Sequence, residues 1–238
     1  MHRPLLDAHL GRITPVEEIV QTLGDLVRVG KIRHYAFSDI PAWFAMKAAA
    51  IASERRVPGP IALQVEYSLV ALDIEAEHIS AAREGGMGVM PWSPLAGGFL
   101  TGKYKQDDAA DTGRLSGASP FGDSKFSGRN WEILVILKEV AAEQGRTPTQ
   151  IALAWVMAQR GVAATLVGAR SVSQLSGNLA ATDVTLTSGQ MNRLDQVSAP
   201  AGGFSASLAA PMIRRMVLVV LVVLVVTMSR DGPHNASS

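Results

Sequence analysis

Short apolar runs of β-like composition alternate with longer stretches of helical spacing along most of this chain, and that alternation restricts it to few folds. The β-like runs fall at 32–37, 61–65, 87–92 and 164–167, each set off by Gly, Pro or polar residues as buried parallel strands are. Helical spacing covers 15–29, 41–55, 74–84, 132–144, 147–159, 171–180 and 187–197. In the first of these Val16, Ile19, Val20, Leu23, Leu26 and Val27 recur on one face. Strand–helix repeats of roughly 25 to 30 residues predict βαβ units with right-handed crossovers. A doubly wound sheet and part of a (β/α)8 barrel both satisfy that pattern. No Gly-x-Gly-x-x-Gly follows any run, which argues against the dinucleotide-binding doubly wound form.

Helix starts are legible. Thr14-Pro15-Val16-Glu17 and Thr147-Pro148-Thr149-Gln150 read as capping boxes with proline at the first helical position; Ser171-Val172-Ser173-Gln174 and Thr187-Ser188-Gly189-Gln190 share the outline. Gly30 is a natural stop for the first helix. Residues 102–131 have little periodicity and are rich in Gly, Asp and Ser. A loop this long inside a compact domain is either functional or unstructured. Following the third run, it would overhang the active-site face of a barrel.

Composition removes several alternatives. A formal charge of +1 with acids and bases interspersed offers nothing to nucleic acid. The absence of cysteine excludes disulfides and thiolate metal sites. His2, His9, His34, His78 and His234 are spaced too widely for a local helical metal motif, so no metal is expected. The start, MHRPLLDAHL, lacks the basic and apolar regions of a secretion signal, and a cytoplasmic setting is expected.

Several stretches, in order, carry a resemblance. They are His2-Arg3-Pro4, Thr14-Pro15-Val16-Glu17-Glu18, 26–33, Phe37-Ser38-Asp39, Leu63-Gln64-Val65-Glu66-Tyr67-Ser68, the long stretch 91–104, and Gly168-Ala169-Arg170 with Gln174 and Asn178. Together they resemble the aldo-keto reductase family, in its branch related to potassium-channel β subunits. The resemblance runs from residue 2 to about 198, and its most specific part is Pro91 to Tyr104. It implies an α/β fold: a partial (β/α)8 TIM barrel in which the four runs are strands 5–8 with their helices. The family's first three strands, and nearly all of its fourth, would have no counterpart here. Residues 1–200 would form this part of the barrel and 201–238 an atypical tail.

The resemblance implies hydride transfer from NADPH to the carbonyl of a small aldehyde or ketone, with general acid catalysis and stabilisation of oxyanion charge. His2 matches the family's carbonyl-orienting histidine. The family's catalytic Asp, Tyr and Lys precede that histidine and have no equivalents, and Tyr35, Tyr67 and Tyr104 do not match the tyrosine's motif. The chain is therefore expected to be inactive as a reductase. Ser38, Asp39 and Gln64 would hold the nicotinamide carboxamide; Asp39, where many relatives have asparagine, reads equally as an N-cap for the helix that Pro41 opens. Trp92 would stack on the nicotinamide ring or belong to the core. Ser93, Pro94, Leu95, Gly97, Gly98 and Leu100 form a turn in which glycines admit a pyrophosphate, with Lys103 as a cation or a solvated side chain. Gly168 and Arg170 precede a helix start suited to an anion, Arg170 pairing with the adenosine 2′-phosphate, while Gln174 and Asn178 reach the adenine or stay solvated. Besides the reductase, two readings remain: a non-catalytic NADP-binding or regulatory module, and a nonfunctional truncated product. The open barrel edges invite self-association.

The tail departs from the family pattern. Its apolar run at 216–228 would span about 20 Å as a helix, short of the roughly 30 Å hydrocarbon core, so a membrane span is disfavoured.

Overall fold

A computed structural model describes residues 14–105, 115 and 125–200. His2, most of 102–131 and the 216–228 run lie outside the described residues, and the architecture below is that of the compact unit Met1–Ala199.

Three parallel strands form one sheet: β1 (Phe37–Ser38), β2 (Ala62–Glu66) and β3 (Gly88–Trp92). Their order in space is their order in sequence, β1-β2-β3. Helix α1 (Val16–Arg28) precedes the sheet, α2 (Ala42–Arg55) connects β1 to β2, and α3 (His78–Glu84), after a 3-10 turn at Asp73–Glu75, connects β2 to β3. Then come α4 (Gly128–Glu143), α5 (Pro148–Met157), α6 (Val172–Leu179) and α7 (Ser188–Ser198). The βαβ reading and all seven helical stretches are realised, with ends shifted by a few residues.

Two β-like runs behave differently. Of 32–37 only its end becomes strand, because β1 has a ladder partner on one side alone among the described residues. The 164–167 run forms no regular strand, although the chain there lies along β3. Val89 N–H donates to Gly161 O and Ala163 N–H to Val89 O, both at 2.8 Å. The next donor on β3 should be residue 91. Proline has no N–H, so the ladder breaks there. Pro91 O accepts instead from Leu166 N–H at 2.9 Å, which is out of step with the preceding pair. Gly88 permits this close approach, since a Cβ there would meet Ala163 Cβ at 2.8 Å.

The period-2 alternation divides the sheet into a closed and a half-open face. Leu63, Val65 and Val89 are buried against the helices, and Phe37 packs edge-on against Phe44 of α2. Gln64, Glu66, Met90 and Trp92 turn to the opposite face and are only half-buried. Pairing puts Ser38, Gln64 and Met90 in one row and Glu66 beside Trp92 in the next. The main core joins β2 and β3 to α4 and α5 through Leu63, Phe99, Leu137, Ile151 and Trp155. A smaller one, with Val16, Val20, Phe44, Ala48 and Val57, lies between α1 and α2.

Helix ends follow the sequence at Thr147 and Thr187, both complete capping boxes. They depart from it at α1, where Pro15 is itself the N-cap and no side chain caps the helix. Among the described residues no helix is long and apolar enough to cross a membrane.

Candidate functional site

The half-open face carries its polar groups at the carboxyl ends of the strands, and hydrogen bonds link them. Trp92 Nε1 at the end of β3 donates to Asp39 Oδ1 beyond β1 at 2.8 Å, 53 residues away in sequence. Ser38 Oγ lies 3.3 Å from Asp39 Oδ2 and 3.3 Å from Gln64 Oε1, so its single proton serves one acceptor at a time. Asp39 N–H donates to Gln64 O at 3.0 Å. Ser38, Asp39, Gln64 and Trp92 are thus brought into one connected row. No side chain caps α2, whose N-cap is Pro41, so the N-cap reading of Asp39 does not hold.

Backbone strain concentrates at the same place. The described non-glycine residues with left-handed φ are Asp39 (50°), Arg56 (53°), Ser93 (54°) and Ala96 (49°). Three of the four flank the row or its continuation. Such conformations cost about 1–3 kcal/mol each and persist where surrounding structure imposes them, often at functional sites.

After β3 the chain turns through Ser93–Thr101, with Gly97 (65°), Gly98 (96°) and Gly102 (76°) also at left-handed φ. Four amides of the turn are engaged internally: Ala96 N–H donates to Ser93 O at 2.8 Å, Gly97 N–H to Ser93 Oγ at 3.2 Å, Gly98 N–H to Leu95 O at 2.9 Å, and Leu100 N–H to Leu95 O at 3.2 Å. Pro94 is buried, Leu95 half-buried, and Leu100 lies wholly within the main core. Gly97 and Gly98 remain half-buried at the surface of the turn. A Cβ at Gly98 would lie 3.2 Å from Lys103 Cε and Nζ, so the ammonium sits directly against that glycine. Leu115 packs against Gly97, and its N–H donates to Tyr104 Oη at 3.3 Å.

The fourth segment completes the set. Leu166 bonded to Pro91 fixes where this chain passes β3, and Gly168 to Arg170 continue from there toward the start of α6. Ser171 caps α6 by accepting from Gln174 N–H at 3.2 Å. Gln174 Oε1 accepts from Arg170 N–H at 2.8 Å, so this side chain ties down the arginine's backbone. Gly168, Arg170 and Gln174 are exposed, and no residue of α6 is buried. Asn178 stands one helical turn past Gln174, as expected from the spacing.

The chemistry of this donor set suits a nicotinamide dinucleotide. Hydroxyl, carboxylate and amide groups complement a carboxamide, the indole offers a flat apolar surface, and a glycine pair with a lysine suits a phosphate. The observation that tests the fit is Gly98, where a Cβ would crowd Lys103 Cε and Nζ at 3.2 Å, so that only glycine leaves the ammonium its place against the turn.

Proton donors are less evident. Tyr35 Oη donates to Pro58 O at 3.1 Å, and burial pushes its pKa up to about 12. Tyr67 Oη donates to Glu75 Oε1 at 2.5 Å; burial first, and then that carboxylate, push it up further. Both shifts run opposite to what a phenolic acid needs at neutral pH. Among the described residues no three or more metal-ligating side chains gather.

Sequence reasoning missed Glu66 and Lys125. Lys125 Nζ lies 2.8 Å from Glu66 Oε1, and Lys125 is 8% exposed. Period 2 puts Glu66 on the face of Gln64, which was a usable signal; Lys125 lies in the aperiodic stretch and gave none.

The aldo/keto reductase family model matches residues 2–199. The uncharacterized oxidoreductase YrpG of Bacillus subtilis is 33% identical over 199 residues, covering 82% of this chain and 58% of its own. Aldo-keto reductase yakc of Schizosaccharomyces pombe, whose name carries NADP(+), is 33% identical over 178 residues, 73% of this chain and 50% of its own. A probable voltage-gated potassium channel subunit beta from Arabidopsis thaliana is 32% identical over 212 residues, 82% of this chain and 60% of its own. The chain therefore spans little more than half the length of these relatives.

Proposed function

Because this chain belongs to the aldo/keto reductase family, we propose that it carries the cofactor-binding part of an NADPH-dependent carbonyl reductase, built on strands 5–8 of a (β/α)8 barrel. The observation that supports this reading most is the hydrogen-bonded row Trp92–Asp39–Ser38–Gln64 at the carboxyl ends of three parallel strands. The sequential strand order suits a barrel arc, because a doubly wound sheet reverses its order at the ligand site.

When bound, the reduced nicotinamide supplies hydride to a carbonyl carbon. Ser38 and Gln64 orient the carboxamide. Asp39 fixes the Trp92 indole, which would offer its apolar face to the ring. Gly97 and Gly98 would admit the pyrophosphate and Lys103 would offset its charge, while Ser93, Pro94, Leu95 and Leu100 shape the turn. Gly168 and Arg170 would hold the 2′-phosphate, with Gln174 and Asn178 available to the adenine. His2, from outside the described residues, orients a small carbonyl substrate.

Tyr35 and Tyr67 are poor proton donors, because burial raises both phenols and each hydroxyl already donates within the fold. That favours a second reading, a non-catalytic NADP-binding module. Its exposed sheet edges would allow self-association, and its setting would be cytoplasmic. NADPH titration followed by cofactor fluorescence, alongside a carbonyl-dependent NADPH oxidation assay, tests both readings. Binding without oxidation is the expected result. Robust oxidation overturns the inactivity, and no binding overturns the cofactor site. Arg170→Ala should weaken NADPH about ten-fold or more and NADH little, since a bidentate guanidinium–phosphate pair contributes only to the former.

A further inference from the structure

Glu66 ends β2 in register with Trp92 on the half-open face, so its charge stands next to the indole that borders the proposed nicotinamide site. Its partner comes from 59 residues away: Lys125 Nζ approaches Oε1 at 2.8 Å, with the two side chains 28% and 11% exposed. Withdrawing charges this far from water is costly unless each finds its partner.

The backbone at Lys125 is tied to its surroundings. Asn130 Nδ2 donates to the Lys125 carbonyl at 3.1 Å. Phe126, next in the chain, packs against Phe99, Tyr104 and Trp131. Ser127 then caps α4 by accepting from Asn130 N–H. The ammonium is therefore delivered from the backbone leading into α4. Its position matters because the surroundings are acidic. Asp39, Glu66 and Asp73, with His78, border a cleft of about 320 Å³ at the ends of β1 and β2. A bare carboxylate on Glu66 would add to the negative charge of that lining.

We propose that Lys125 is a positioning residue for cofactor binding: it neutralises Glu66 and pins it beside Trp92, keeping uncompensated negative charge away from the dinucleotide. This rests on the NADPH reading above and adds a group outside the row. The pair acts through charge, so removing both charges together restores what removing the lysine alone takes away.

NADPH titrations of the full chain and its variants, at low and high salt, test this. Lys125→Met should weaken NADPH about five-fold or more at low ionic strength. The loss should shrink as salt screens the bare carboxylate over a Debye length of about 10 Å at ~0.1 M. Lys125→Arg should bind as the parent does. The double variant Glu66→Gln/Lys125→Met should return to within about two-fold of the parent, as cancelling neighbours do in a coupled cycle. A merely structural contact predicts the reverse, with the double variant no better than Lys125→Met. Either that result or parental affinity in Lys125→Met overturns the proposal. If Lys125→Met fails to fold, Glu66→Gln decides alone: unchanged or tighter NADPH binding supports the charge role, and weaker binding overturns it. A parent chain that binds no NADPH overturns the cofactor reading itself, an outcome distinct from any of these.

Discussion

Asp39 keeps a left-handed backbone at φ 50° while its carboxylate holds the indole of Trp92 at 2.8 Å. Asparagine tolerates that backbone and retains an acceptor, whereas leucine does neither. Asp39→Asn should therefore leave Trp92 emission and urea stability nearly unchanged, while Asp39→Leu should cost about 1–3 kcal/mol and shift the emission. Equal losses in both variants would show that the hydrogen bond is not what matters. Glu75 makes a residue-scale prediction in pH. Burial first, and Asp195 beside it, raise its pKa above 4.5, against the lowering effect of the Tyr67 hydrogen bond. A carboxyl raised in the fold stabilises most when protonated, so its contribution is complete below its unfolded value and is lost as pH rises through the folded one. Glu75→Gln still accepts from Tyr67 but cannot ionise. Its stability relative to the parent should therefore grow from about pH 4 to neutrality, read from urea midpoints across that window. A constant difference across that range would show that Glu75 does not titrate with folding. The row itself was legible residue by residue, since Ser38, Asp39, Gln64 and Trp92 each stand on or just after a readable strand. That Trp92 bonds to Asp39 was not legible, because no local pattern records a contact between strands that are not neighbours.

Four helix starts share one motif outline, and the structure separates them. Thr147 and Thr187 accept from the amides of Gln150 and Gln190 while those glutamines bond back, as the spacing implies. At Ser171 only the hydroxyl half forms, Gln174 turning to Arg170 N–H instead. At Thr14 neither half forms, because proline holds the cap position. Thr147→Ala should cost about 1 kcal/mol in urea unfolding and Thr14→Ala nothing measurable. A loss at Thr14 matching that at Thr147 would refute this distinction. Composition showed where apolar runs lie but not which would be paired on both sides. Hence 32–37 read as a full strand and yields only Phe37 to β1, and 164–167 read as a strand and yields none. Glu66 could be found by counting in twos from Gln64. Lys125 could not, since its position depends on α4 and an aromatic cluster assembled from distant parts of the chain.

At the scale of the molecule, the described sheet ends in β1 on one side and in the segment along β3 on the other. Exposed edges pair with other chains unless charge or proline blunts them. The protein should elute at a larger apparent size as its concentration rises. Ala164→Lys, at an exposed edge position, should suppress that increase, and elution independent of concentration in the parent would refute the edge as an association site. The missing donor at Pro91 has a thermodynamic consequence. The segment leading to Arg170 is stitched to the sheet by a shortened seam, so it can fray while β2 and β3 stay intact. A phosphate held there would have to restrain a mobile strap, and part of its intrinsic affinity would go into that ordering. Amide protons at 164–170 should then exchange fastest among the sheet segments and slow most when a dinucleotide binds.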